Sequence, residues 1–121
     1  MIEYVFHSIE NGNDYLISSG REEGGRVQCF ATVCVKVAGK EITRRGFDFD
    51  WSNAIREAFC QALNEDIEIT EDAPDSEEGA VNILVRIRDR ESRGRSVCRK
   101  DKTKAFLLAL IRAVNLSGVL D

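Results

Sequence analysis

The sequence has no long apolar stretch, a single proline, a single histidine and no CxxC cysteine pair. No run approaches the ~18 apolar residues that a transmembrane helix needs, so we expect no membrane span. The first residues lack the basic and then apolar segments of an export signal, which makes the cytoplasm the expected location. A structural zinc site needs four clustered soft ligands, usually in close pairs. We therefore expect no metal or cofactor, and buried free thiols at Cys29, Cys34, Cys60 and Cys98.

Catalytic constellations are also missing. A nucleophile needs an adjacent base and an orienting third group, but His7 lies in an alternating strand pattern with no nucleophile placed near it. Gly20 and the glycines at 24–25 flank a charged turn, without the strand-turn-helix context of a dinucleotide-binding loop. The acidic residues 71–78 lack the ligand spacing of a calcium loop. The sequence therefore favours a non-catalytic protein.

Length and composition fit one globular domain of 121 residues, 43% hydrophobic and 31% charged, with a net charge of −4. The charge is uneven, because residues 71–78 hold five acids and residues 86–104 hold nine bases against three acids. A helix N-terminus with basic side chains can hold phosphate or carboxylate, and a solvated charged face is the alternative. The basic residues around the start of the last predicted helix are Arg95, Arg99, Lys100, Lys102 and Lys104.

The chain contains an internal repeat. Residues 54–64 match residues 105–115, with alanines at corresponding positions and an asparagine closing both segments. Residues 32–37 match residues 82–87 at nearly the same spacing, and residues 14–18 are aligned with 66–70. The economical description is a single domain over 1–121 that holds two copies of one unit, about 14–64 and about 66–116.

Within each unit the hydrophobic period changes from that of a strand to that of a helix. Alternating valines at 33–37 predict a strand that turns at 38–40 and returns over 41–47. In the second unit the hairpin arms are 81–88 and 92–98, with the turn at 89–91. An extra strand over 3–8 precedes the turn signal at 11–13.

Apolar stripes from Ile55 and Phe106 predict the two helices, with Asp50, Ser52 or Asn53 as the first cap and Asp101 as the second. The predicted fold is therefore α+β. Two strand-strand-strand-helix repeats, related by a pseudo-twofold axis, pack antiparallel sheet on two helices around one shared core.

The run Asp48-Phe49-Asp50-Trp51 stands directly before the first predicted helix. One interpretation is structural: aspartates lie near the positive helix N-terminus while the aromatic residues pack inward. The other is functional, because a lone tryptophan at such a junction is suited to anchoring a ligand or a partner.

The repeat resembles the C-terminal regulatory domain of 2-isopropylmalate synthase and of the related citramalate synthases. The similar segments are residues 14–20, residues 31–33 with the valines and Gly39-Lys40 that follow, and residues 95–115. The resemblance implies a non-catalytic dimerisation and feedback module in leucine biosynthesis. Such a module binds leucine or isoleucine between protomers, at the strand-to-helix junctions.

Carried over to this chain, the resemblance implies ligand-binding roles for Asp48, Asp50, Trp51, Asn53, Ala54 and Asp101. Aspartates replace both glycines of the family's first junction, and Trp51 replaces its proline. Two carboxylates near a ligand's own carboxylate carry a like-charge penalty, so the fold can be inherited without leucine binding.

Two alternatives stay open. Strands followed by a helix with a basic start also resemble the double-stranded-RNA-binding domain, whose lysines contact phosphates; here the basic residues from Arg95 to Lys104 would do so. A pure assembly module would instead use the apolar flank Leu107, Leu108 and Ile111 with the tail 116–120. In each case we expect a protein outside the membrane. The regulatory module and the assembly module would each be a homodimer.

Overall fold

The computed structural model describes residues 2–21 and 25–121. Gly24, which the sequence places in a charged turn, lies outside the described residues. The elements follow in the order β1 (Ile2–Glu10), β2 (Asn13–Arg21), β3 (Val27–Val37), β4 (Lys40–Asp48), α1 (Trp51–Leu63), β5 (Ile67–Glu71), β6 (Ala80–Ile87), β7 (Arg90–Val97) and α2 (Lys102–Leu116). They confirm the α+β class and the repeated order of strands and helix.

The chain divides into two compact units. One contains the chain up to Glu65 together with Asp121, and the other is Asp66–Leu120. The antiparallel sheet is accordingly two sheets, β1-β2-β3-β4 in the first unit and β5-β6-β7 in the second. Among the described residues, neither helix is long and apolar enough to cross a membrane.

The first unit packs α1 on one side of its four-stranded sheet. Alternate residues of β2 and β3 point to that side and are fully buried, among them Ile17, Val33 and Val35. The helix contributes its apolar stripe, including Ile55 and Phe59. The predicted extra strand and the turn after it are confirmed, because Asn11 and Gly12 both adopt the positive φ of a tight hairpin turn.

One glycine sets the distance between α1 and the sheet. Gly46 on β4 faces the helix, and a Cβ atom placed there would overlap the carbonyl oxygen of Ala54 and lie 2.7 Å from the amide nitrogen of Ala58. The helix backbone therefore rests directly on the strand backbone. Alanine at positions 54 and 58 serves the same end, since small side chains allow this approach.

The second unit repeats this arrangement with three strands and a longer helix. Val81, Ile83, Val85 and Ile87 of β6 are buried and lie on the side of the sheet that packs against α2. The turn predicted at 89–91 is wrong in its bounds, because β7 begins at Arg90, which pairs with Ile87. The turn is Arg88-Asp89, and Arg88 adopts a positive φ without the glycine or asparagine that usually signals one.

The apolar flank of α2 is part of a core. Leu107 and Ile111 are fully buried and Leu108 is half-buried, while Leu116 is exposed. The extra apolar residues of this helix therefore leave no continuous free stripe, which removes the support for an assembly surface along that flank.

The two repeats agree in their hairpins but not throughout. Both hairpins close with a two-residue turn, after Val37 in the first and after Ile87 in the second. Cys34 and Leu84 each lie three residues before that turn's preceding strand residue, so they occupy corresponding positions. Cys34 pairs with Asp14 and Leu84 pairs with Thr70, which puts the sequence alignment of residues 14–18 with 66–70 four residues out of register.

The close approach of helix and sheet also occurs in the second unit, where Gly94 of β7 lies beneath Ala109 and Ala113. Gly94 pairs with Ile83 and so corresponds to Arg44 in the first hairpin, two residues nearer the turn than Gly46. Each helix runs back along its hairpin, so a contact one helical turn further along α2 agrees with the contact of Gly46 in the first unit.

Candidate functional site

The junction between β4 and α1 uses both of its aspartates to shape the start of the helix. Asp48 ends β4, and its Oδ1 accepts a hydrogen bond from the Asp50 amide at 3.0 Å. Asp50 is the N-cap, and its Oδ1 accepts from the Ser52 amide at 3.0 Å and from the Ser52 hydroxyl at 3.2 Å. Of the three proposed caps, Asp50 is the one used, and the structural interpretation of this run has direct support.

A groove of about 430 Å³ opens beside this junction. The exposed turn of α1 and the end of β4 form it, and its lining residues are Asp48, Asn53, Arg56, Glu57 and Cys60. Only Asp48 and Asn53 belong to the set that the sequence implicated. Ala54 is fully buried under the sheet and Trp51 is half-buried, so neither is part of this lining.

Sequence reasoning missed Arg56, Glu57 and Cys60. Their spacing from Asn53, at three, four and seven residues, places all of them on one face of a helix, which is the signal that could have found them. What the spacing could not show is that this face borders the end of β4.

The groove carries charges of both signs. Glu57 is held in place from two directions, because its carboxylate accepts from the Phe47 amide at 3.4 Å and from the Gln61 side chain at 3.2 Å. Half-buried Arg56 belongs to the same lining and carries the positive charge. Within the described ranges, no cluster of three or more histidine, cysteine, aspartate or glutamate side chains is arranged to hold a metal ion.

The pKa of the buried Cys29 thiol is affected by the charges at the junction. Burial raises the pKa of the Cys29 thiol, and the negative charges of Asp50 and Asp48 raise it further. Cys29 pairs with Asp48 across β3 and β4, so the thiol lies close to the two carboxylates. The junction is therefore a region of negative potential, which favours a cationic group on any ligand nearby.

The last residue implicated in ligand binding, Asp101, lies in the second unit. It is the N-cap of α2, and its Oδ1 accepts from the Lys104 amide at 2.9 Å. This confirms the predicted cap. Asp101 does not line the groove beside α1.

The basic segment is partly neutralised by the acidic loop. Arg95 contacts Asp75 at 2.9 Å and Glu77 at 3.1 Å, and Arg93 contacts Asp72 at 3.2 Å. Hydrogen bonds from Arg95 hold the pKa of the Asp75 carboxyl well below its usual range, and those to Asp75 and Glu77 raise the pKa of the Arg95 guanidinium. Arg95 is therefore engaged in ion pairs with residues of its own unit.

The remaining basic candidates surround the start of α2. They are exposed, so their charges stay open to solvent: Arg99, Lys100, Lys102 and Lys104. The predicted anion or nucleic-acid site is thus reduced to these four side chains.

Comparison of the chain with models of protein families, with curated proteins and with solved structures found no match. The resemblance to the regulatory domain of 2-isopropylmalate synthase therefore stays a prediction from the sequence.

Proposed function

We propose that this protein is a non-catalytic regulatory module of the cytoplasm, which works as a homodimer and binds a small zwitterionic ligand. The observation that carries the ligand proposal is the groove of about 430 Å³ at the junction of β4 and α1, with charges of both signs in its lining. Its volume falls within the range of ~300–1,000 Å³ typical of small-molecule sites.

The charges in the lining support one class of ligand. Asp48 and Glu57 offer carboxylates to an ammonium group, and Arg56 offers a guanidinium to a carboxylate. An α-amino acid carries both groups on one carbon atom. The negative potential at the junction favours the ammonium side of such a ligand, so the ammonium group, rather than the carboxylate, would face the two aspartates.

Thermal unfolding with added ligand tests the proposal. Leucine, isoleucine or valine at ~100 times its dissociation constant stabilises the folded state by about 2.7 kcal/mol. For a domain of this size we expect the melting temperature to rise by about 10 °C. The amine and the acid that correspond to the active amino acid, each lacking one charged group, should have much smaller effects.

Variants assign the effect to the groove. Arg56→Gln and Glu57→Gln should abolish the ligand-induced rise, whereas Arg99→Gln, an exposed arginine of the second unit, should keep it. A melting temperature unmoved by millimolar amino acids would refute amino-acid binding. A rise that survives in both groove variants would place the ligand elsewhere.

A second candidate function is RNA binding through the start of α2. Four exposed basic side chains surround a helix N-terminus there, which favours contacts with phosphate. A duplex RNA should then bind at ~50 mM salt and be lost when Lys100 and Lys102 are changed to glutamate. Lack of binding at that salt concentration would exclude this candidate, since phosphate contacts are strongest there.

A further inference from the structure

The side of the first sheet that faces away from α1 exposes large apolar side chains. We call this side the outer face. Its large apolar residues are each between 42% and 71% exposed, and they comprise Ile2, Val5, Ile9, Leu16, Phe30, Phe47 and Phe49. Across the described residues, just two other large hydrophobic side chains are comparably exposed, Val97 and Leu116.

Strand pairing makes these residues neighbours. Val5 pairs with Ser18, Ser18 with Phe30 and Phe30 with Phe47, which forms one row across all four strands. The ring centres of Phe30 and Phe47 are 5.2 Å apart, and those of Phe47 and Phe49 are 5.5 Å apart. The guanidinium of Arg26 lies 4.2 Å above the Phe49 ring. The three rings are therefore in contact, and together with the aliphatic side chains on the same side of the sheet they make up the apolar patch of the outer face.

The second unit shows that the architecture does not require such a patch. The pair Phe30 and Phe47 corresponds to Ala80 and Val97 in the second hairpin. Further along the same side of β7, Arg93 and Arg95 are exposed and form ion pairs with Asp72, Asp75 and Glu77. The same strand pattern can thus present a charged surface to solvent, and the first unit presents an apolar one instead.

The size of the patch suits a protein interface. A phenylalanine buries ~150–250 Å² when fully covered, so three half-exposed rings alone leave roughly 300 Å² to solvent. The four aliphatic side chains add a similar area. The total approaches the upper end of what monomers expose, ~600 Å², and the ~800 Å² that each partner buries in a standard interface.

The charges on the outer face nearly balance. Lys36, Arg45 and the Arg26 that lies over Phe49 stand against Asp14 and Glu41, and His7 contacts the Asp14 carboxylate at 2.7 Å. A face with so small a net charge gives little attraction to a polyphosphate chain, and the protein as a whole carries a charge of −4. The near balance also allows the face to meet its own copy with little repulsion.

We propose that the outer face of the β1–β4 sheet is where a second copy of this chain docks, sheet against sheet. This proposal rests on the homodimer of the proposed function and names the surface that forms it. A two-fold axis brings the same patch onto itself, so the apolar rows of both copies are buried together. Two sheets packed face to face lie ~10 Å apart, a distance that side chains of this size fill.

Mass in solution tests the surface, measured by sedimentation equilibrium from 1 to 100 µM. The wild type should have twice the monomer mass of 13.6 kDa. Phe47→Asp should raise the dimer dissociation constant at least ~30-fold, because it places a charge in the centre of an apolar contact. Val97→Asp is the matched control at the corresponding position of the second hairpin, and it should leave the dimer unchanged.

Each outcome decides one part. If Phe47→Asp is poorly folded by circular dichroism, Leu16→Lys on the neighbouring strand replaces it. If dimers persist in Phe47→Asp and in Leu16→Lys, the outer face is not the dimer interface, although the protein is still a homodimer. A monomeric wild type at 100 µM overturns the homodimer together with the surface, but not ligand binding in the groove.

Two further results would also overturn the surface. One is a Val97→Asp variant that dissociates as much as Phe47→Asp does, because the effect would then not be specific to the outer face. The other is binding of a single-stranded 12-mer RNA by a monomeric wild type, lost in Phe47→Asp, since the exposed rings would then be stacking bases.

Discussion

Replacing Gly46 by alanine should separate α1 from its sheet. The added Cβ would overlap the Ala54 carbonyl oxygen and crowd the Ala58 amide nitrogen, which are both helix backbone atoms. A side chain could rotate away from the new methyl group, but backbone atoms can move only with the whole helix. The φ of Gly46 is not positive, so the cost is steric and not conformational.

The magnitude follows from the displacement. Carbon–oxygen contacts are comfortable near 3.3 Å, so the helix must retreat by about 1 Å. A gap of that size loses a quarter to a half of the dispersion energy across the contact between α1 and the strands. We expect a loss of about 3 kcal/mol in the free energy of unfolding, the upper part of the range for overpacked cores. The melting temperature should fall by roughly 10 °C.

Urea unfolding followed by circular dichroism measures this loss, with Gly39→Ala as the control. Gly39 has open space around its Cβ position but a φ of 79°, so alanine there costs only backbone strain, about 1 kcal/mol. The substitution Ala54→Gly should not rescue Gly46→Ala, because it leaves the carbonyl oxygen in place. A Gly46→Ala protein as stable as Gly39→Ala would refute the close approach of helix and strand.

Two further predictions concern the first unit. Asp50→Ala removes the N-cap of α1 and should cost about 1 kcal/mol in urea unfolding, whereas Asp50→Asn should cost much less; equal losses would contradict capping by the side-chain oxygen. Burial raises the pKa of the Tyr15 phenol well above its usual range, and the nearby Asn13 side chain offsets only part of this effect. Because the unfolded phenol ionises near pH 10 and the folded one stays protonated, the free energy of unfolding should fall above about pH 10, by up to ~1.4 kcal/mol per pH unit. Tyr15→Phe should leave the free energy of unfolding nearly unchanged at pH 7 and should lack the additional loss above pH 10. Unfolding of both proteins at pH 7 and pH 11 measures the difference. If the two free energies fall in parallel with pH, this prediction is wrong.

Local signals in the sequence predicted much of the fold. The alternation at Val33 and Val35 and the helical stripes around Phe59 and Leu110 are confirmed, because each element buries one face at its own period. The Asp101 cap is confirmed and Asp50 is the one used among the three candidates for α1, since an aspartate side chain bonds backbone amides only two or three residues away. The turn Arg88-Asp89 was misplaced because its conformation is imposed by the pairing of β6 with β7 and not by a turn-forming residue.

The candidate sites depended far more on contacts between distant segments. The sequence gives residues 86–104 a strongly positive net charge. In the structure, however, the charges of Arg93 and Arg95 are neutralised by Asp72 and Asp75 of the preceding loop. The groove likewise joins the end of β4 to a helix face that the sequence did not associate with it. The side chains of these ion pairs are some twenty residues apart and meet only after the strands have paired, so spacing alone could not reveal the ion pairs.

The sequence by itself determined most of the strands and both helices, the cap of α2 and the repeated order of strands and helix, because these features depend on neighbours within one or two turns of chain. The tertiary structure alone decided which side of each sheet is covered. In the first sheet, apolar residues occur on both sides of β3, with Val33 under the helix and Phe30 in solvent. Alternation shows that these two residues point to opposite sides, but only the position of α1 decides which side becomes the core and which stays open to a partner.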